Sequence, residues 1–139
     1  ATQVVWNLLH GWNRLAVPFY KTVEASVDHD DTVRKLAAIT GERFVVDEVV
    51  QTTDPSGNFH ILLVHRGTGY SFPVENYGRW CNVRAVIDGL NNLLDRLGLP
   101  ERFIELDSGT SDIGLVTFAH AEIFMALARE LGVRLGRAD

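Results

Sequence analysis

The sequence predicts an α+β domain in which a mostly antiparallel sheet of four to five strands is covered by helices. Two observations favour this class: the predicted strands come in adjacent pairs, and helices lie between the pairs. Short turns join antiparallel strands, whereas parallel strands need a longer crossover. The 139 residues fit one globular domain, 1–139, and a hydrophobic content of 46 % is typical of a chain with a core.

The first predicted hairpin spans residues 43–66. β-branched residues dominate its first half, and the turn sequence Asp54–Gly57 interrupts the pattern. Pro55 fixes φ for a turn, and the glycine that ends the turn tolerates the positive φ that other residues avoid. The sequence Gly-Thr-Gly at 67–69 then breaks the second strand. Residues 70–74 either continue that strand after a bulge or form a short third strand.

The second predicted hairpin spans residues 102–119, with its turn around Gly109. The string Ile104–Ser111 includes this turn and matches the catalytic turn of aspartic proteases. That chemistry needs two carboxylates, which come from two such strings in one chain or from a symmetric dimer. The chain contains one string, and the dimeric type has several strands after its turn, whereas one strand and one helix are predicted here. We therefore interpret the string as a hairpin turn in which Asp107 and Ser108 bind the backbone.

The clearest predicted helix spans residues 82–97. Asn82 suits its N-cap, Gly98 marks its end, and apolar residues between them recur every three or four positions. Another helix is predicted over 120–131, and both helices are expected to cover the sheet. The buried stripe of the first helix is expected to comprise Val83, Val86, Ile87, Leu90, Leu93, Leu94 and Leu97.

Two further helices are predicted in the N-terminal part. Residues 2–15 carry apolar side chains at helical spacing. Residues 30–40 form a shorter helix that Asp30 or Asp31 is expected to cap. Between these helices, residues 16–27 fit either a strand or irregular packing.

The composition disfavours several functional classes. The formal net charge is −5, and the 13 basic residues are scattered among 18 acidic ones, which argues against nucleic-acid binding. No apolar run approaches the roughly 18 residues of a membrane helix, and the sequence starts without a leader pattern, so neither a membrane partner nor a signal peptide is predicted. Cys81 is the one cysteine, which precludes an intrachain disulfide and is typical of a cytoplasmic protein.

No cofactor and no metal site are predicted. The chain lacks a phosphate-binding GxxxxGK[ST] string, and its five histidines form no HxH, HxxxH or HExxH pair. The acidic cluster Asp28–Asp31 lacks the glycine and the glutamate of a calcium loop, and carboxylates are favourable at a helix N-terminus. Cys81, next to Trp80, is interpreted as a small packed residue.

The candidate binding surface is a segment in which aromatic residues and arginine are concentrated, although its composition is otherwise that of a loop. These residue types dominate the energetic centres of protein interfaces. The alternative interpretation is that the aromatic rings fill the core. The candidate residues are Tyr70, Phe72, Tyr77, Arg79 and Trp80.

An alternative polar site consists of His60, His65, Asp107 and Asp112. On an alternating strand the two histidines point to opposite faces, so they are not expected to share a metal. One of them would act as a general base near a carboxylate of the second hairpin.

The sequence favours a small acidic protein-binding module, such as an antagonist or immunity-type inhibitor of a basic protein. Two alternatives stay open. One is a small enzyme or ligand-binding domain that uses the alternative polar site. The other is an oligomeric structural subunit, a homo-oligomer in which Trp6 and Trp12 display apolar area.

Overall fold

The computed structural model describes residues 28–78, 81–106 and 115–132, together with the backbone of 15–20 and of 113–114. Two antiparallel sheets and three helices make up this part of the chain, which confirms the α+β class. The elements are β1 (Leu15–Tyr20), α1 (His29–Ala38), β2 (Glu48–Thr53), β3 (Phe59–His65), β4 (Thr68–Val74), α2 (Val83–Arg96), β5 (Glu101–Leu106), β6 (Ile113–His120) and α3 (Ala121–Leu131).

The first sheet has the strand order β2-β3-β4. Its β2–β3 turn is the predicted one: the carbonyl of Asp54 accepts from Gly57 N–H at 3.0 Å, and the φ of Gly57 is 88°. A two-residue turn at Arg66 and Gly67, both with positive φ, then leads into β4, so residues 70–74 belong to a third strand. Pairs such as Ile61 with Phe72 set the register.

The strand β2 begins later than the predicted hairpin, which started at residue 43. Residues 43–47 form a bend instead, because the N–H of Phe44 donates to the side chain of Thr40 at 3.2 Å rather than to a strand. Asp47 closes the bend, since its carboxylate accepts from the N–H of Arg66 at 2.8 Å.

The second sheet has the order β1-β6-β5, with Phe103 paired to Phe118 in its hairpin. The turn of this hairpin, 107–112, lies outside the described residues. Leu15 belongs to a strand and pairs with Thr117, so the predicted helix 2–15 is wrong at its last residue, and its other residues lie outside the described part. Backbone pairing with β6 satisfies the N–H and carbonyl groups that a helix would otherwise bond internally.

The two hairpins form two sheets, where the sequence predicted one. The helices account for the difference: α1 packs against β1 and β2, and α2 packs against β4 and β5. Each sheet therefore turns its apolar face towards the same helices. Hairpin patterns specify which strands pair within a hairpin, but they do not specify whether two hairpins join edge to edge.

One core cluster joins the helices to both sheets. The predicted stripe of α2 is buried from Val83 to Leu94, and Leu97 packs against the cluster while half-buried. Phe44, Phe103 and Phe118 fill the space around it. Each large side chain buried in this way stabilises the fold by about 1.5–3 kcal/mol before the loss of conformational entropy.

A side chain caps the N-terminus of α2 as predicted, whereas the predicted caps of α1 do not form. Asn82 accepts from the N–H of Ala85 at 3.2 Å and so caps α2 as predicted. Asp30 and Asp31 do not cap α1, because they lie inside its first turn. Their carboxylates instead pair with Arg34 and Lys35 one turn later, each at 3.0 Å.

Candidate functional site

An open cleft of about 500 Å³ lies where the β2–β3 turn, the end of β4 and the start of α2 meet. We call it the acidic cleft because three carboxylates line it. Its lining residues include Asp54, Glu75, Tyr77, Asn82, Arg84 and Asp88. More than half of the surface of Tyr77, 53 %, is exposed at the cleft.

The loop beside the cleft is fixed by amide side chains. Asn76 donates from Nδ2 to the carbonyl of Gly57 at 2.8 Å, and its N–H donates to Oδ1 of Asn58 at 3.0 Å. Asn82 donates to the carbonyl of Glu75 at 3.0 Å while it caps α2. These bonds tie Glu75 and Asn76 to the helix and to the hairpin turn on either side of the cleft.

A buried histidine anchors the helix end behind the cleft. His29 has no exposed surface, and its Nε2 accepts from the N–H of Asn82 at 3.0 Å. Its other ring nitrogen therefore carries the proton and donates to Oε1 of Gln51 at 2.9 Å. The same oxygen accepts from the backbone N–H of His29. The sequence placed His29 only in an acidic cluster, and no local signal pointed to this role.

Of the histidines in the alternative polar site, only His60 comes near the acidic cleft. Its Nε2 lies 3.3 Å from Oδ2 of Asp54, whose other oxygen accepts from the N–H groups of Ser56 and Asn58.

The second histidine of that site is buried inside the fold. His65 is buried, donates from Nδ1 to the carbonyl of Val45 at 2.7 Å, and stacks on Phe44 with ring centres 5.1 Å apart. His60 and His65 thus lie on opposite faces of β3. Asp107 and Asp112 lie outside the described residues.

The candidate binding surface divides into packed and exposed members. Phe72 covers Gly89 of α2, and Tyr70 packs beside it under the guanidinium of Arg96, whose Cζ is 5.8 Å from the ring centre. Tyr77 alone among the described members faces the acidic cleft. Arg79 and Trp80 lie outside the described residues.

No sequence pattern groups the carboxylates of the acidic cleft, because they are distant along the chain. Asp54 belongs to a hairpin turn, Glu75 follows β4, and Asp88 lies in α2. Each has a plausible local role, and only the packing of α2 against β4 brings the three together.

A second cleft, of about 530 Å³, continues along α2. We call it the polar cleft; Asp88 lines both clefts. Nη2 of Arg102 donates to Oδ1 of Asp95 at 3.0 Å within it. The lining residues are Asp88, Asn91, Asn92, Asp95 and Arg102.

Cys81 lies between the loop and α2 and is half-buried. Its sulfur is 3.4 Å from the hydroxyl oxygen of Thr32. Burial raises the pKa of the Cys81 thiol, which keeps the nucleophilic thiolate scarce near neutral pH. These contacts fit the packed role expected from the sequence.

An apolar stripe on α3 faces outward. Ile123, Leu127 and Leu131 follow one another at four-residue intervals and are exposed, Ile123 by 65 %. Phe124 and Ala128 on the other side of the helix are buried. This stripe is the described feature most relevant to the oligomeric alternative.

Among the described residues, no three histidine, cysteine or acidic side chains are grouped as metal ligands would be. None of the described helices combines the length and the hydropathy that crossing a membrane requires. No protein-family model, curated protein or solved structure matches the chain.

Proposed function

We propose that the chain is a small acidic protein-binding module whose acidic cleft receives a basic segment of another protein. The observation that carries the proposal is the grouping of three carboxylates with the exposed ring of Tyr77 around one cleft. Carboxylates form their strongest hydrogen bonds with lysine and arginine, and a tyrosine ring attracts the same cations to its face.

The charge of the cleft favours such a partner. Asp54, Glu75 and Asp88 line the cleft together with Arg84, and Asp54 is paired with His60. The formal net charge of the whole chain is −5. A chain of negative net charge steers a basic partner and accelerates its association.

The hydrogen bonds around the cleft favour binding further. Because Asn76 and Asn82 fix the loop to two other elements, its backbone loses little freedom when a partner binds. Ordering a loop on binding weakens affinity, so a loop that is already ordered retains more of the contact energy.

A module of this kind acts by covering the basic surface of its partner, as an antagonist or immunity-type inhibitor does. The function needs no catalytic group in the chain. The single cysteine suits a partner in the cytoplasm, where thiols stay reduced.

Affinity capture with the tagged chain, followed by binding measurements on the purified partner, tests the proposal. We expect one stoichiometric protein partner whose dissociation constant rises about 10- to 100-fold with Glu75→Gln, because a hydrogen bond to a charged group contributes about 1.5–3 kcal/mol. The matched control is Glu130→Gln, which removes an exposed carboxylate on α3, away from the cleft. Recovery of the chain alone, or equal affinity for Glu75→Gln and wild type, would refute the proposal.

The pairing of His60 with Asp54 supports a second candidate, a small enzyme or ligand-binding domain in which His60 exchanges a proton with a bound small molecule. A metabolite screen by thermal shift tests it. This candidate predicts a ligand that raises the melting temperature of the wild type and not of His60→Gln. It fails if no ligand distinguishes the two proteins.

A further inference from the structure

The apolar stripe on α3 begins at the end of the second sheet through which the chain enters β1. Leu15, the first residue of β1, pairs with Thr117 of β6, and β6 passes directly into α3 after His120. Because β1 and β6 are antiparallel, the chain that precedes Leu15 leaves the sheet at the end where α3 starts. We infer that residues 2–14 dock on the apolar stripe of the same molecule, as a helix antiparallel to α3. This inference is independent of the proposed function.

The apolar residues of the two segments repeat at the same interval. The stripe repeats every four residues along α3, and so do Val4, Leu8 and Trp12 in the predicted N-terminal helix. Trp12 precedes the first residue of β1 by three positions, and Ile123 follows the last residue of β6 by three, so the two repeats start level with each other. In this register the facing pairs are Trp12 with Ile123, Leu8 with Leu127, and Val4 with Leu131.

The charges at the shared end of the two segments are complementary. Arg14 is the only lysine, arginine or acidic residue within 2–14, and Glu122 is exposed in the first turn of α3. An antiparallel helix brings both charges to the end of the pair that adjoins the sheet. An exposed ion pair adds little affinity, so this pairing favours the orientation rather than the strength of docking.

The size of the stripe favours a tethered segment over a second molecule. A stable interface buries about 800 Å² on each partner. The stripe has three side chains, and Leu127 and Leu131 are already more than half covered, with 48 % and 44 % exposed, so the area left for a partner falls well below that figure. A segment that is tethered at Leu15 needs less contact, because the tether holds it near the stripe at an effective concentration on the order of millimolar.

Helix formation in residues 2–14 is expected to depend on docking. A helix this short that contains Gly11 is marginal in isolation. Burial of its apolar residues against α3 supplies the stabilisation that helix propensity alone does not.

Disulfide trapping in the full chain tests the inference, since a disulfide needs Cα atoms within about 7 Å and so joins only residues that face each other. The background is Cys81→Ser, which removes the one native thiol. Leu8→Cys with Leu127→Cys places two thiols at the centre of the register. Leu8→Cys with Arg129→Cys is the matched control, because position 129 is exposed on the opposite side of α3. In a glutathione redox buffer we expect the first pair to close an intramolecular disulfide at least tenfold faster than the control pair, with a product that is monomeric by gel filtration.

A second facing pair, Val4→Cys with Leu131→Cys, repeats the measurement at the far end of the two helices, so that the test does not depend on one variant. Circular dichroism checks that each variant is folded. Equal rates for the facing pair and the control pair, or no closure in either facing pair, would overturn the inference. Disulfide-linked dimers in place of the intramolecular bond would also overturn it, because a second copy of the chain would then cover the stripe.

Discussion

Gly89 offers a test of how α2 and β4 are packed beside the cleft. A Cβ at this position would lie 2.5 Å from Cγ and 2.7 Å from Cε2 of Phe72. Real side-chain carbons do not approach so closely, so Gly89→Ala must displace the ring or the helix. Both are held by the core cluster around Leu90.

Two opposing effects set the size of the change. Overpacking a well-packed core costs about 1–3 kcal/mol. Replacing glycine by alanine inside a helix contributes about 0.8–1.0 kcal/mol in the other direction. We therefore expect Gly89→Ala to lower the free energy of unfolding by about 1 kcal/mol. The new methyl group would meet Cγ of Phe72, the ring atom that is bonded to Cβ.

Urea denaturation measures this change, and removal of the ring supplies its control. In a Phe72→Ala background the steric term disappears and the helix propensity remains. Gly89→Ala should there raise the free energy of unfolding by about 1 kcal/mol. The coupling energy of the double-mutant cycle is then about 2 kcal/mol, within the range measured for residues in contact.

The sign of the change that Gly89→Ala causes in the free energy of unfolding shows whether Gly89 and Phe72 are in contact. If Gly89→Ala stabilised the wild-type background by as much as the Phe72→Ala background, the two residues would not be in contact. The packing of Phe72 over α2, and with it the placement of β4 beside the acidic cleft, would then be wrong.

Three further predictions concern stability. Asn82→Ala should lower the free energy of unfolding by about 1–2 kcal/mol in urea, because α2 loses its cap; an unchanged midpoint would contradict the capping geometry. Arg43 bonds to Glu101 and holds the pKa of that carboxyl below its ordinary value. The contribution of the pair to the free energy of unfolding is therefore complete above about pH 4.3 and is lost as the pH falls through the lowered pKa. Glu101→Gln should flatten this part of a stability-against-pH curve, and an unaltered curve would show that the pair contributes nothing. Phe124→Ala should cost about 3 kcal/mol in thermal unfolding and Leu127→Ala less than half as much, because one side chain is buried in the fold and the other lies on the outer side of α3; an equal loss at Leu127 would contradict the orientation of α3.

The elements that the sequence predicted well are those whose signal is local. The stripe of α2 repeats with the helical period over four turns, and Asn82 and Gly98 mark its ends. The turn at Asp54–Gly57 has residues that fix its own backbone angles. Such features need no knowledge of the rest of the fold.

The features that escaped prediction depend on contacts between distant residues. The bend at 43–47 has a strand-like composition, and the side chain of Thr40 decides its conformation. The composition of the segment did not decide whether the rings of Tyr70 and Phe72 form a surface or pack inward, and their contacts with Arg96 and Gly89 of α2 depend on the fold. The acidic cleft likewise exists only because a turn, a loop and a helix converge, which no spacing in the sequence records.

Carbodiimide cross-linking of the chain to its captured partner tests the central claim most directly, because this reagent joins carboxylates to lysine amines in direct contact. The account predicts cross-links from Glu75 and Asp88 to one basic segment of the partner, and their loss in the Glu75→Gln and Asp88→Asn variants. Cross-links that arise instead from exposed carboxylates elsewhere, such as Glu48 and Glu130, with none in the acidic cleft, would contradict it.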